Sequence, residues 1–126
     1  MQIEFENLSN DYFISSYSKN YIVIKERKYF DRVILLGSAI DDCKDVNNLL
    51  NVSVFNNKIK QLNKIDYNFI LFGTGNTTKK IPLKIYEFVI KNNIPYEAMR
   101  SISAFKTYNI LLSQGKKILA FLELET

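Results

Sequence analysis

The segment with the clearest chemical character is the Gly73–Gly75 loop, Gly-Thr-Gly, which is followed by Lys79 and Lys80. Glycines at a strand end let a ligand approach the backbone, and lysines attract anions. The P-loop and dinucleotide fingerprints both fail here, because Thr78 stands where each requires a glycine. The loop is therefore interpreted as part of a shallow recognition surface, whose lysines either contact an anion or point into water.

The inventory of nucleophiles and metal ligands is narrow. Cys43 is the only cysteine and histidine is absent, so an internal disulfide, a Cys/His zinc site and an imidazole-based triad are all excluded. Cys43 could act as a nucleophile only with a base other than histidine; a buried or incidental thiol is the alternative. We expect no catalytic residue of this kind, no metal and no cofactor.

A second group of polar residues follows the loop along the chain. Glu97 could serve as a base, Lys106 as an anion contact and Tyr108 as a hydrogen-bond donor, if a ligand sat between the glycine loop and the Thr107–Asn109 segment. The alternative is structural: Tyr108 packs in the core, Asn109 caps a neighbouring loop, and Glu97 pairs with Lys106 or Arg100. The candidate functional surface comprises Gly73, Thr74, Gly75, Glu97, Met99, Lys106, Thr107, Tyr108 and Asn109.

The positive charge does not indicate a nucleic-acid partner. The formal net charge is +4, but the basic residues are scattered among acidic ones. Lysine outnumbers arginine 14 to 3, whereas arginine is the residue favoured for bidentate contacts to phosphate and guanine. We expect no nucleic-acid binding.

The hydrophobic pattern predicts strands that alternate with helices in the second half of the chain. Strands are expected at Tyr12–Ser18, Asp66–Phe72, Ile94–Met99 and Ile118–Leu122, and Tyr21–Gly37 is expected to form two strands that are joined as a hairpin near Glu26 and Arg27. Helices are expected from Ser53 to about Lys64, from Pro82, and over Ser101–Gly115. Ser38–Val52 is expected to be mostly loop.

Length and composition suit one domain over residues 1–126, since 47% of the 126 residues are apolar. No apolar run of about 18 residues could span a membrane. The beginning of the sequence has neither the basic region of a signal peptide nor the Arg/Ser-rich character of a transit peptide, so we expect a cytoplasmic protein.

Two quoted stretches carry a family resemblance. The "LFGTG" of Leu71–Gly75 and the "YEAMRSISAFKTYNILLSQGKKILAFL" of Tyr96–Leu122 resemble a small domain family that includes the mitochondrial NADH dehydrogenase (complex I) assembly factor 3. The resemblance covers about residues 12–122. It implies a three-layer α/β fold, in which helices flank a mixed central sheet and the N-terminal half adds an antiparallel β layer.

The chain also departs from the family pattern. Phe105 and Lys106 stand where relatives often carry Cys-Arg, which removes the cysteine as a nucleophile. The resemblance therefore implies a non-catalytic assembly or scaffold factor that binds a protein, with a respiratory-complex subunit as the partner and peripheral membrane association open. The alternative is a small-ligand or enzyme-like site between the Gly73–Gly75 loop and the Thr107–Asn109 segment.

Overall fold

The computed structural model describes residues 12–37 and 39–126. Its first unit is a three-stranded antiparallel sheet in the order β1-β2-β3, formed by β1 (Ile14–Tyr17), β2 (Ile22–Ile24) and β3 (Arg27–Tyr29). The expected hairpin is confirmed. Its turn residues Lys25 and Glu26 both have positive φ, 53° and 67°, as a two-residue type I′ turn requires, although neither is the asparagine or glycine that such a turn favours.

The second unit is a mixed five-stranded sheet with the order β5-β4-β8-β6-β7. It consists of β4 (Val33–Leu36), β5 (Ala39–Asp42), β6 (Phe69–Gly73), β7 (Tyr96–Met99) and β8 (Ile118–Leu122). β6 is parallel to both β7 and β8, whereas β4 is antiparallel to β5 and β8. β7 therefore forms one edge of this sheet, and β5 forms the other.

One strand was not expected from the sequence. Residues 43–51 are irregular, as expected for most of Ser38–Val52, but Ala39–Asp42 pairs with β4 as an edge strand. An edge strand is paired on one side only and is exposed at Ala39 and Asp42. A strand in that position can therefore be short and polar, without the apolar run that reveals a central strand.

Three α-helices lie in the described part of the chain: α1 (Val52–Lys60), α2 (Leu83–Lys91) and α3 (Ser101–Ser113). Asn51, rather than the expected Ser53, caps α1, because its side-chain oxygen accepts from the backbone N–H groups of Ser53 and Val54 at 2.8 and 3.2 Å. A 3₁₀ turn at Lys64–Asp66 delays the next strand to Phe69.

The sequence predicted the C-terminal end of α3 correctly but not the residue at its N-cap. Neither Ser101 nor Ser103 caps α3; Arg100 occupies the N-cap position without a side-chain cap bond. At the other end Gly115 has φ +80°, the left-handed conformation expected of a glycine just past a helix.

The layers follow from the alternation of apolar side chains in the central strands. Val33, Leu35 and Leu71 face α3 and the small sheet, while Ile34 and Phe72 face α1 and α2. Helix α3 thus lies between the two sheets, and α1 and α2 cover the opposite face of the central one. The predicted fold class, a mixed central sheet flanked by helices with an additional antiparallel β layer, is confirmed.

Gly73 marks the closest approach of α3 to the central sheet. A Cβ atom at this position would lie 3.1 Å from Ala104 Cβ, 3.1 Å from Leu122 Cδ2 and 3.2 Å from Ser101 Oγ. These atoms belong to the packed layer between helix and strand, so they have little room to move.

We predict that Gly73→Ala lowers the free energy of unfolding by about 1–3 kcal/mol, because the added methyl group overpacks this contact. Gly37→Ala is the matched control: a Cβ there meets nothing within 4 Å, and the smaller entropy of the unfolded chain leaves stability unchanged or raised by up to about 1 kcal/mol. Urea denaturation measures both variants. Equal stability of Gly73→Ala and the wild type would contradict the close packing.

Candidate functional site

The Gly73–Gly75 loop lies at the carboxyl ends of the parallel strands. Most of its polar groups form hydrogen bonds with other residues of the protein. The Thr74 N–H donates to the Met99 carbonyl at 2.8 Å. The Gly75 N–H donates to Ser101 Oγ at 2.8 Å, and the Ser101 N–H donates back to the Gly75 carbonyl at 2.8 Å. The loop is therefore tied to the first turn of α3.

The threonine side chain closes the loop from within. Thr74 is buried; its hydroxyl donates to the Thr77 carbonyl at 2.5 Å and accepts from the Lys79 N–H at 3.2 Å. Gly75 has φ +96°, a backbone conformation that glycine adopts easily because it has no side chain. Unlike a phosphate-binding loop, the segment does not lead directly into a helix, because α2 begins only at Leu83.

A polar cleft of about 320 Å³ opens beside this loop. Thr74, Gly75 and Lys79 line one side of it, and Asn47 and Asn48 line another. Met99 and Tyr108, two members of the candidate surface predicted from the sequence, do not line this cleft.

Two carboxylates that follow β8 organise this end of the sheet. Glu123 Oε1 accepts from Arg32 Nε at 2.8 Å, and its Oε2 accepts from the Leu49 N–H at 2.7 Å. Arg32 also donates to the Val46 carbonyl. Together these bonds hold the segment before α1 against the sheet.

Glu125 plays the corresponding role at α3. Its carboxylate accepts from Arg100 at 2.7 Å and from the Ile102 N–H at 2.9 Å, so it satisfies a backbone donor in the first helical turn, as a capping side chain would. The hydrogen bond from Arg100 lowers the pKa of the Glu125 carboxyl, and the bond from Ile102 lowers it further, while burial opposes both effects.

These two carboxylates are absent from the candidate surface predicted from the sequence. A signal for them exists: Glu123 and Glu125 alternate directly after a buried strand, so both side chains emerge on one side of it. The chain has 3 arginines. Two of them, Arg32 and Arg100, come directly before β4 and α3, at the end of the central sheet where β8 finishes. Pairing them required knowledge of the strand order.

The Thr107–Asn109 segment holds the two β layers together. Tyr108 is fully buried, and its hydroxyl donates to the Tyr12 carbonyl at 3.0 Å. Asn109 Nδ2 donates to the Ile14 carbonyl at 2.9 Å, and Asn109 Oδ1 accepts from the Ile14 N–H at 2.9 Å. Thr107 Oγ1 contacts Met99 Sδ at 3.3 Å. Burial raises the pKa of the Tyr108 phenol, which keeps it protonated.

The remaining members of the predicted surface are dispersed. Glu97 is exposed on β7, and Lys106 is exposed on α3. Arg100, which was one alternative partner for Glu97, is paired with Glu125 instead. The structure thus brings Gly73–Gly75 and Met99 together, but it directs Tyr108 and Asn109 toward the small sheet.

The positions at which a nucleophile was considered are buried. Phe105 is fully buried and packs against Tyr17, with ring centroids 5.4 Å apart. Cys43 is also buried, and burial, reinforced by the charge of Asp41, raises the pKa of its thiol to about 11. At neutral pH the thiol is protonated and weakly nucleophilic.

Helix α2 carries the most extensive exposed apolar surface on a helix of the described chain. Only Ile85 and Val89 are buried on it. Leu83, Tyr86 and Ile90 are 69%, 43% and 52% exposed, and their i, i+3, i+7 spacing places them on one face. The sequence pattern of α2 indicates one hydrophilic stripe of Lys84, Glu87 and Lys91 with the other residues apolar, and these three residues are exposed. The structure adds that part of the apolar surface of α2 is exposed as well.

The aromatic side chains of the described residues do not form a single exposed cluster. Tyr29 is buried, and Tyr12, Tyr17 and Tyr21 are half-buried. Phe30 is exposed at the strand-end cleft, whereas Tyr86 is exposed on α2 next to Tyr96. In the described ranges 12–37 and 39–126, no helix is long and apolar enough to cross a membrane.

We predict that Glu125→Gln lowers the free energy of unfolding by about 1–2 kcal/mol at pH 7, since it weakens charge-assisted bonds to a half-exposed arginine and a backbone N–H. Because the pKa of Glu125 is lowered in the folded state, its contribution is present above the ordinary carboxyl pKa and is lost as the pH falls through the lowered value. The difference between wild type and variant should therefore close below about pH 4.

Glu97→Gln is the control for that experiment, because the Glu97 side chain is exposed and its replacement should change stability by less than about 0.5 kcal/mol. Chemical denaturation at a series of pH values measures both. A pH-independent gap between Glu125→Gln and the wild type would contradict the assigned ion pair.

Comparison with known proteins identifies the family. Residues 14–123 match the model of a family described as "Protein of unknown function (DUF498/DUF598)". No curated protein matches the sequence.

Several solved structures share the fold. A Bordetella pertussis protein described as a Mth938-like domain has a TM-score of 0.77 at 14% identity, with 99% of this chain and 93% of that chain covered. A Xanthomonas campestris protein has 0.74 at 20% identity (98% and 92% covered), and a Bartonella henselae protein described as an outer membrane protein has 0.77 at 18% (90% and 94%). At these identities the similarity concerns the fold alone. The resemblance inferred from the sequence is confirmed by the family match, and the chain belongs to the DUF498/DUF598 family.

Proposed function

We propose that this protein is a non-catalytic protein-binding module, which acts as an assembly or scaffold factor. The observation that carries the proposal is the exposed apolar face of α2, formed by Leu83, Tyr86 and Ile90. Water-exposed apolar residues in register on one helix face are typical of a surface that a partner covers.

The hydrogen bonds of the polar residues support the same proposal. The side chains that could have done chemistry are bonded within the fold: Tyr108 and Asn109 hold the small sheet, and Thr74 closes its own loop. The Cys43 thiol is protonated at neutral pH, as its raised pKa requires. These groups stabilise the scaffold that presents α2.

The resemblance to the complex I assembly factor defines the partner to test first. A subunit of a respiratory complex, met at the membrane surface by peripheral association, is the partner that this resemblance suggests. The sequence likeness to that factor lies in the glycine loop and in the α3 segment, and both form hydrogen bonds within this fold. The proposal that α2 contacts the partner therefore rests on the exposure of its apolar residues.

A second candidate function is small-ligand binding in the polar cleft beside the Gly73–Gly75 loop. The favourable observation is that this cleft of about 320 Å³ lies at the carboxyl ends of the parallel strands, the usual ligand position in α/β sheets. The site would use Lys79 and the two asparagines instead of Thr107–Asn109. We favour protein binding, because the Gly75 N–H that would meet a ligand already donates to Ser101.

We predict that charged substitutions on the α2 face weaken partner binding without unfolding the protein. Leu83→Glu and Ile90→Glu place a charge where an apolar contact is needed, and each should weaken a partner complex at least about tenfold. Ile110→Glu is the matched control, since Ile110 is similarly exposed at 55% but lies on α3. Tagged proteins are compared by quantitative cross-linking and mass spectrometry in the native cell.

The proposal requires that a set of proteins recovered with the wild type and Ile110→Glu is lost with both α2 variants. Recovery of the same proteins with all four chains, at equal yield and equal thermal stability, would contradict it.

A further inference from the structure

Strand β7 has an open edge with a defined set of backbone groups. On its inner side the Pro95 carbonyl accepts from the Ile70 N–H at 3.0 Å, and the Met99 carbonyl accepts from the Thr74 N–H at 2.8 Å. Backbone groups of successive strand residues point to opposite sides, so the N–H and C=O groups of Tyr96 and Ala98 point away from β6. No strand in the described part of the chain pairs with them.

A groove of about 440 Å³ runs between this edge and the start of α2. Its apolar walls come from the helix and the strand, and the rings of Tyr86 and Tyr96 meet edge to face across it, with centroids 6.2 Å apart. The lining residues are Ile81, Leu83, Tyr86, Tyr96 and Ala98, together with two lysines, Lys79 and Lys80.

The charge of the groove is of one sign. Lys79 and Lys80 are exposed, neither takes part in an ion pair within the described chain, and no acidic residue lines the groove. The lysines precede the N-terminus of α2, where the helix dipole adds a further positive field. An acidic ligand therefore finds complementary charge here, while a basic one is repelled.

We infer that an extended, acidic segment of a partner protein adds to the edge of β7 as a sixth strand of the central sheet. Its backbone pairs with Tyr96 and Ala98, alternate apolar side chains enter the groove against Leu83 and Tyr86, and its carboxylates meet Lys79 and Lys80. This is strand addition, in which main-chain bonds supply affinity and alternate side chains supply specificity. The inference rests on the proposed function and specifies the class of partner that the α2 face receives.

A second copy of the same chain is a poorer occupant of this edge. Pairing two β7 edges would bring the Lys79 and Lys80 of both copies to one interface, and like charges brought together oppose association. The complementary partner is therefore acidic.

The first experiment measures amide hydrogen exchange at single residues by NMR. The probe is a capped heptapeptide of alternating valine and glutamate, and its control is the same peptide with lysine in place of glutamate. With the glutamate peptide, the Tyr96 and Ala98 amides should exchange at least about tenfold more slowly, whereas Glu97 and Met99, which face β6, should change little. The lysine peptide should give no protection, and added salt should weaken the effect.

A backbone variant tests the same bonds from the protein's side. Ala98→Pro removes the outward N–H, which an edge strand tolerates because no strand of the described residues pairs with that group. It should weaken binding of the glutamate peptide at least about tenfold, while Ala98→Ser, which keeps the N–H, should bind like the wild type. Slow exchange of the β6 and β8 amides verifies that the Ala98→Pro variant is folded. If the variant is unfolded, the protection of the Tyr96 and Ala98 amides in the wild type tests strand addition instead.

The failures are distinguishable. Absence of protection with the glutamate peptide overturns strand addition, and the proposed function then stands or falls separately on the Leu83→Glu and Ile90→Glu comparison. Equal protection by the glutamate and lysine peptides overturns the acidic partner. Protection of Tyr96 and Ala98 that rises with protein concentration and needs no peptide assigns the edge to a second copy, and it also overturns the inference.

Discussion

The fold depends on how the side chain of Asn109 replaces a missing strand. Among the described strands β1 is an edge of the small sheet, and no other described strand pairs with the Ile14 N–H and C=O on that side. The Asn109 amide presents one donor and one acceptor, both at 2.9 Å, as a neighbouring peptide group would. Because α3 also packs on the central sheet through Ala104 and Phe105, Asn109 ties the outer β layer to the rest of the molecule, together with the Tyr108 hydroxyl that donates to the Tyr12 carbonyl.

This constraint changes the meaning of the polar residues that resemble an active site. Tyr108 and Asn109 face inward to the small sheet, and the Gly73–Gly75 loop is bonded to Ser101 at the start of α3. The same helix is thus held at its beginning by the glycine loop and Glu125, and along its length by the small sheet. With one face of the central sheet covered in this way, two surfaces that the described part of the chain leaves open lie elsewhere, on the outer face of α2 and at the edge of β7.

The sequence predicted most of the architecture because the informative signals were local. The unbroken apolar run of Ile118–Leu122 indicated a central strand, and Gly115 indicated a helix end; both positions are confirmed. The edge strand Ala39–Asp42 was missed because an edge position allows polar residues. Non-local pairs escaped for a different reason: the contacts of Asn109 with Ile14, and of Glu125 with Arg100, join residues 95 and 25 positions apart. The exposure of Leu83 and Ile90 likewise depends on which elements pack against α2, and the spacing of apolar residues within a helix does not reveal this.

The most direct test of this account is amide hydrogen exchange of Asn109→Ala compared with Ser113→Ala, whose hydroxyl makes only a local bond to the Ile110 carbonyl within the described chain. If Asn109 acts as the missing strand, Asn109→Ala raises the exchange rate of the Ile14 amide about tenfold or more and loosens the small sheet, while the β6 and β8 amides stay slow. Ser113→Ala should match the wild type. Unchanged protection of Ile14 in Asn109→Ala would contradict the account and return Asn109 to the list of candidate recognition residues.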